Sequence, residues 1–199
     1  MTIPQRHMDK ATFLDWVERR AAPDQEGRCE LVGGFVVMMM RPVRGHALIV
    51  GNLLVALRER LDHTRWDVLS DFGTETGIDT VRAPDIVVVP AGGSPKDRTT
   101  TLPVLVAEVL SPSTVTVDLG DKAAEYLGLD SLVAYLVVAQ DEPKVWLWVR
   151  GENGFPAGPQ PIAGRDAMAR TPPLGLDLPL SEVFAGIVQD EDGAEGRAE

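Results

Sequence analysis

One cysteine, three histidines and two tyrosines in 199 residues set the first limits on what this chain can do. A lone Cys29 excludes an internal disulfide and any multi-cysteine zinc site, and His7, His46 and His63 have no metal-ligand spacing among themselves. No apolar run approaches the roughly 18 residues of a membrane-crossing helix, and Met1–His7 has no apolar signal region. The expectation is a cytoplasmic protein with no membrane association. Basic residues are also in short supply, 19 against 30 acidic ones, for a net charge of −11. A strong non-specific grip on nucleic acid needs the reverse balance. The excess is uneven, however: residues 1–150 carry −5 and residues 151–199 carry −6. Nucleic acid therefore stays open as a partner, with another protein supplying basic surface if one is needed.

What is present is ordinary globular material, 44% hydrophobic and 25% charged. The length suits one domain over 1–188, followed by an acidic disordered tail over 189–199. Met8–Ala22 has helical spacing with Asp9 or Thr12 as cap and serves packing. Cys29–Val32 and Phe35–Met40 flank Gly33-Gly34 and predict a β-hairpin. Glu30 in that hairpin is either a solvent-facing residue or a site residue. Gly45–Leu61 is an amphipathic helix with His46 at its start, where it caps or faces a ligand. Met38-Met39-Met40 fits a core strand better than a soft-metal site. Trp66–Ser70 and Gly73–Val81 read as short strands, and Ala91–Arg98 as a solvated loop. Ser131–Ala139 and Lys144–Arg150 predict a hairpin that closes the sheet, with Trp146 and Trp148 structural, and Leu174–Val188 adds a turn and a helix.

The centre of the chain carries the chemistry. Pro84–Val89 and Val104–Leu110 are nearly continuous apolar runs, the signature of strands buried on both faces, yet each holds one carboxylate, Asp85 and Glu108. A buried carboxylate is costly unless paired, hydrogen-bonded or bound to a metal. After a Ser111-Pro112-Ser113-Thr114 turn, Thr116 or Asp118 can cap a helix in which Asp118, Lys122 and Tyr126 recur every four residues on one face. Two carboxylates on neighbouring strands suit Mg²⁺ with retained waters, and a nearby ammonium completes a hydrolytic site.

Glu30, His46, Pro84-Asp85, the string Glu108-Val109-Leu110-Ser111-Pro112-Ser113-Thr114, Asp118, Lys122 and Tyr126, in that order, resemble the Uma-two family of restriction endonucleases in the PD-(D/E)XK nuclease superfamily. The likeness spans about residues 10–185. It implies an α/β restriction-endonuclease-like fold: a mixed central β-sheet flanked by helices, with an N-terminal helix and β-hairpin. It further implies Asp85, Glu108 and the Val109 carbonyl as ligands of Mg²⁺, for which Mn²⁺ can substitute. Lys122 becomes the catalytic lysine, Glu30 an additional acid, and His46 and Tyr126 line the site. The superfamily's usual lysine position is Leu110 here; the family places it on the following helix. The implied activity is endonucleolytic hydrolysis of DNA by a homodimer. The alternatives are a silent metal- or partner-binding module and a hydrolase of RNA or another phosphodiester.

Overall fold

The computed structural model describes residues 6–20, 27–110 and 117–187. The Ser111–Thr114 turn, Thr116 and the 189–199 tail lie outside these residues. The chain opens with helix α1 (Lys10–Arg20), where the Asp9 carboxylate accepts the Thr12 amide at 2.7 Å and so satisfies one of the first-turn donors. Strands β1 (Cys29–Val32) and β2 (Phe35–Met38) follow as an antiparallel pair. Their two-residue turn has φ of 54° at Gly33 and 81° at Gly34, the left-handed pair that a tight hairpin requires. Gly34→Ala is expected to cost about 1–2 kcal/mol, because an L-residue is strained there. Thermal melting should fall by several degrees, and an unchanged melting temperature would contradict this reading of the turn.

Helix α2 (Arg44–Arg60) leads to β3 (Trp66–Ser70), β4 (Gly73–Gly77), β5 (Thr80–Arg82), β6 (Ile86–Pro90), β7 (Thr99–Thr100) and β8 (Leu105–Val109). A π-helical turn at Val117–Asp121 runs directly into α3 (Lys122–Leu127). Then come β9 (Ala134–Val138), β10 (Lys144–Val149), β11 (Gln160–Ala163), β12 (Met168–Thr171), β13 (Leu176–Pro179) and α4 (Leu180–Val183). A six-stranded mixed sheet has the order β11-β10-β9-β8-β6-β3, a five-stranded one β2-β1-β5-β4-β7, and β12-β13 form a ribbon. Only β8–β9 and β4–β7 pair in parallel among the described strands.

Side-chain alternation explains why the central strands are apolar throughout. Ile86, Val88, Leu105 and Ala107 face α2, meeting its buried Ile49, Leu53, Ala56 and Leu57. Val87, Val89 and Val106 face the other way, onto Ala123 and Tyr126 of α3 and onto Tyr135 and Trp148. Glu108, two residues from Val106, shares the α3 face. Trp148 stacks on Tyr135 at 5.4 Å, which fits its expected structural role.

Four expectations change. The β9–β10 hairpin does not close the sheet, because β11 pairs outside β10 through Gln160–Ala163. Leu174–Val188, expected as a turn and a helix, also holds strand β13, because Leu176–Pro179 pairs with β12 ahead of the short α4. β2 stops at Met38, so Met39 and Met40 belong to the loop before α2. Asp85 lies one residue ahead of β6; its carboxylate takes the Val109 amide of the neighbouring strand at 2.8 Å.

Candidate active site

Antiparallel pairing of β6 with β8 sets Ile86 opposite Ala107. The next step along each strand is Asp85 and Glu108, so the ladder itself brings the two carboxylates to one place. The β1 hairpin adds Glu30 from the adjoining five-stranded sheet, and α3 adds Lys122 and Tyr126. Glu30, Asp85, Glu108, Asp118, Lys122 and Tyr126 are all buried.

Lys122 is the hub. Its Nζ donates to Glu108 Oε1 at 2.9 Å and lies 3.1 Å from Asp118 Oδ1 and 3.6 Å from Glu30 Oε1. Tyr126 Oη donates to the same Glu108 oxygen at 3.2 Å. The four-residue spacing of Asp118, Lys122 and Tyr126 does put them on one side. Asp118, however, sits inside the π-helical turn rather than capping the helix, and its contact with Lys122 is ionic. Burial opposes the Lys122 charge, but Glu108 first, then Glu30 and Asp118, outweigh it and hold the ammonium well above its ordinary range.

The two central carboxyls are driven apart. Burial pushes Glu108 up, to about 8; Lys122 counters this, while the like charges of Asp85, Asp118 and Glu30 reinforce it. Burial would also raise Asp85, but His46, Arg28 and the Val109 amide together bring it down to about 2. His46 Nε2 is 3.2 Å from Asp85 Oδ1, and Arg28 Nη1 is 2.8 Å from that oxygen. Divergent carboxyls side by side are the mark of groups given different tasks.

Glu30 is fixed from the far side. Arg82 Nη1 donates to its Oε2 at 3.0 Å and the Ala83 amide to its Oε1 at 3.1 Å. Arg82 in turn holds Glu125, which also accepts the Thr76 hydroxyl at 2.8 Å. Arg28 also donates to the Ala83 carbonyl, and its Nε lies 2.6 Å from Asp71 Oδ1. Asp71 is the one described non-glycine residue with positive φ, 54°. Asp tolerates this conformation better than most residues.

Arg28, Asp71, Arg82 and Glu125 are the residues that the sequence reading missed. Alternation gave one signal: Arg28, Glu30 and Val32 share a strand period, and all three line the same cavity. Nothing in the sequence joins Arg82 to Glu125.

That cavity has a volume of about 630 Å³, with Glu30, His46, Asp85, Glu108, Val109 and Lys122 among its lining residues. Residues 12–181 match the Uma2 family, described as "Putative restriction endonuclease". The chain belongs to the Uma2 family. The fold of this Uma2 protein is similar to that of a crystal structure described as "a putative nuclease belonging to DUF820" from Anabaena variabilis, with 16% identity and a TM-score of 0.71 over 91% of this chain and 99% of that one. Curated proteins give no match to it. Among the described residues no helix is long and apolar enough to cross a membrane.

No three His, Cys, Asp or Glu side chains among the described residues form a group that could hold an ion by themselves. A complete protein cage is not required for Mg²⁺, which typically takes one or two carboxylates and completes its shell with water and substrate phosphate. The donor set of the Uma2 site is all oxygen on the acidic side. Burial first, and then the neighbouring Asp85, Asp118 and Glu30, raise Glu108, and a cation beside these acids would offset their mutual repulsion. Both observations fit a hard divalent cation.

Proposed function

We propose that this protein is a Mg²⁺-dependent endonuclease that hydrolyses DNA phosphodiester bonds. The observation that carries the reading is the convergence of Glu108, Glu30 and Asp118 on one buried ammonium, Lys122, beside an ionised Asp85 in an open cavity. Asp85 and Glu108, with the Val109 carbonyl, would hold Mg²⁺ or Mn²⁺. The ion, when bound, supplies Lewis acidity toward a phosphoryl oxygen and lowers the pKa of bound water.

The chain's own residues do the rest. Lys122 is a positioned cation that stabilises negative charge developing on the phosphoryl group, worth more here than in water because it is already desolvated and oriented. Tyr126 and Lys122 both donate to Glu108 Oε1, and that shared contact sets the rotamer of the carboxylate. Glu30, clamped by Arg82 and the Ala83 amide, helps hold Lys122 and assists water. His46 keeps Asp85 anionic and lines the cavity.

The decisive experiment is nicking of supercoiled plasmid by purified protein with Mg²⁺ or Mn²⁺, beside Asp85→Ala and Glu108→Ala. The expected result is metal-dependent nicking that chelation stops and both variants lack. The second reading, a silent metal-binding module, draws support from the acidic balance and from Arg28 already sitting on Asp85. It takes over if neither DNA nor RNA is cut while calorimetry shows a divalent ion bound by the wild type and lost in Asp85→Ala. RNA cut in preference to DNA would transfer the substrate assignment and leave the chemistry in place.

A further inference from the structure

Beside its polar residues the cavity is lined by Val37, Met38, Met39, Met40, Pro42 and Val43, an apolar wall interrupted by Arg41. These residues come from β2 and the loop before α2. Met40 is 86% exposed and Val43 60%, although both are side chains that folding ordinarily covers. An apolar wall has no use for a phosphodiester backbone, which is charged along its length. It suits the face of a nucleobase. Methionine is especially apt, since its flexible thioether makes favourable contacts with aromatic rings of varied outline.

Resting on the nucleolytic reading above, we propose that the Val37–Val43 wall receives one unpaired nucleobase of the substrate strand, so that this enzyme prefers single-stranded or locally unpaired nucleic acid to continuous duplex. Shape supports this occupant. About 630 Å³ of concave space falls within the roughly 300–1,000 Å³ range of sites that enclose a small organic group. A protein partner would instead need a broad surface, roughly 800 Å² per side.

Charge agrees. A duplex grip is built from many Lys and Arg contacts to phosphate. Of the four cations that line the cavity, three are committed to carboxylates, Arg28 to Asp85 and Asp71, Arg82 to Glu30 and Glu125, and Lys122 to Glu108, Asp118 and Glu30; the fourth, Arg41, stands within the wall, where its planar guanidinium suits a base face as well as a phosphate. Residues 1–150 carry net −5 as well. Phosphate neutralisation inside the cavity is limited to few cations, and base burial is what the wall adds. Taking a base out of a paired stack is unfavourable, least so for mismatched or single-stranded sites, and the selectivity follows.

The test is fluorescence anisotropy with a labelled 20-nucleotide DNA strand, the same strand annealed to its complement, and that duplex with one central mismatch, in Ca²⁺ to suppress cutting. The single strand should bind at least about tenfold more tightly than the duplex, with the mismatch between. Its salt dependence should be shallow, with a log–log slope magnitude below about 1.4, the value for two neutralised phosphates on a single strand. Met40→Ser/Val43→Ser, both at exposed positions, should melt like the wild type and weaken single-strand binding about tenfold with little change for the duplex. Equal or tighter duplex binding overturns the proposal, as does an unaltered affinity in the double variant. Light scattering adds a separate check: if the double substitution dissociates a dimer without changing single-strand affinity, the wall is a contact between two copies and the proposal is wrong. Metal-dependent plasmid nicking without single-strand preference sinks this inference alone; no binding to any of the three probes, together with no nicking, sinks the nuclease reading as well.

Discussion

Lys122→Ala is expected to lower the nicking rate by about 10²–10³-fold and to destabilise the fold by about 3–5 kcal/mol. Both losses have the same cause. Lys122 is 2% exposed and offsets Glu108, Asp118 and Glu30 simultaneously. Removing the ammonium leaves three buried acidic groups facing one another without their common partner, and deleting one member of a buried ion pair is strongly destabilising. For a chain of this size the melting temperature should fall on the order of 10 °C. A double variant separates the two effects. Lys122→Met/Asp118→Asn removes one charge of each sign, so it should recover much of the lost stability while staying inactive. If Lys122→Ala melts like the wild type, the buried network does not exist as described; if it nicks like the wild type, Lys122 has no part in the chemistry.

Metal-free protein should lose stability as the pH rises from about 4.5 to 8. The folded Glu108 carboxyl binds its proton more tightly than the unfolded one, at about 8 against 4.5. Its contribution is therefore fully present below pH 4.5 and disappears as the pH passes through 8, when a buried negative charge has to be created. Asp85 runs the opposite way. Held at about 2 against 3.8, it contributes stability above pH 3.8 that is lost as the pH falls through 2. Above pH 4.5 Glu108 dominates, and the alkaline loss should be roughly 4 kcal/mol. Thermal unfolding in a chelating buffer from pH 5 to 8.5 measures it, with Glu108→Gln expected to give a flat profile. Added Mg²⁺ should restore most at the alkaline end, where the carboxylate is ionised. A falling profile that persists in Glu108→Gln would assign the effect to another group.

The sequence exposed the site more completely than its supports. Asp85 and Glu108 stood out because a carboxylate breaks an apolar run. Asp118, Lys122 and Tyr126 stood out because helical geometry repeats every three to four residues. Both signals are local, and both places are where the side chains meet. Arg28 gave only the weak signal of alternation with Glu30 and Val32, and Arg82 gave none, since an arginine in a short strand of mixed polarity is indistinguishable from a surface residue. Their partners lie far along the chain, with Arg82 bonded to Glu30 across 52 positions and Arg28 to Asp85 across 57. The fold was legible through Leu147 for the same reason as the site: strong periods and clear turns. It blurred where β11 to β13 rely on pairing partners rather than on their own patterns, as Gln160-Pro161-Ile162-Ala163 shows against Lys144–Leu147. Asp71 could not have been anticipated, because its role depends on a left-handed backbone angle at a turn.

The pairing of β1 with β5, Leu31 opposite Val81, bears on the order in which the protein acquires its chemistry. Contacts between segments so distant in sequence close late, because the chain entropy of the intervening loop must be lost before they give anything back. Glu30 cannot reach Lys122 until that closure happens, and Lys122 itself lies downstream of every strand that carries a site carboxylate. A partly synthesised chain ending before α3 has the acids and lacks Lys122, the cation that Glu30, Glu108 and Asp118 share. Such a chain holds no assembled site, so on the nuclease reading competence to cut cannot arrive before α3 is made, and a chain cut short ahead of it poses no hazard to the nucleic acids around it.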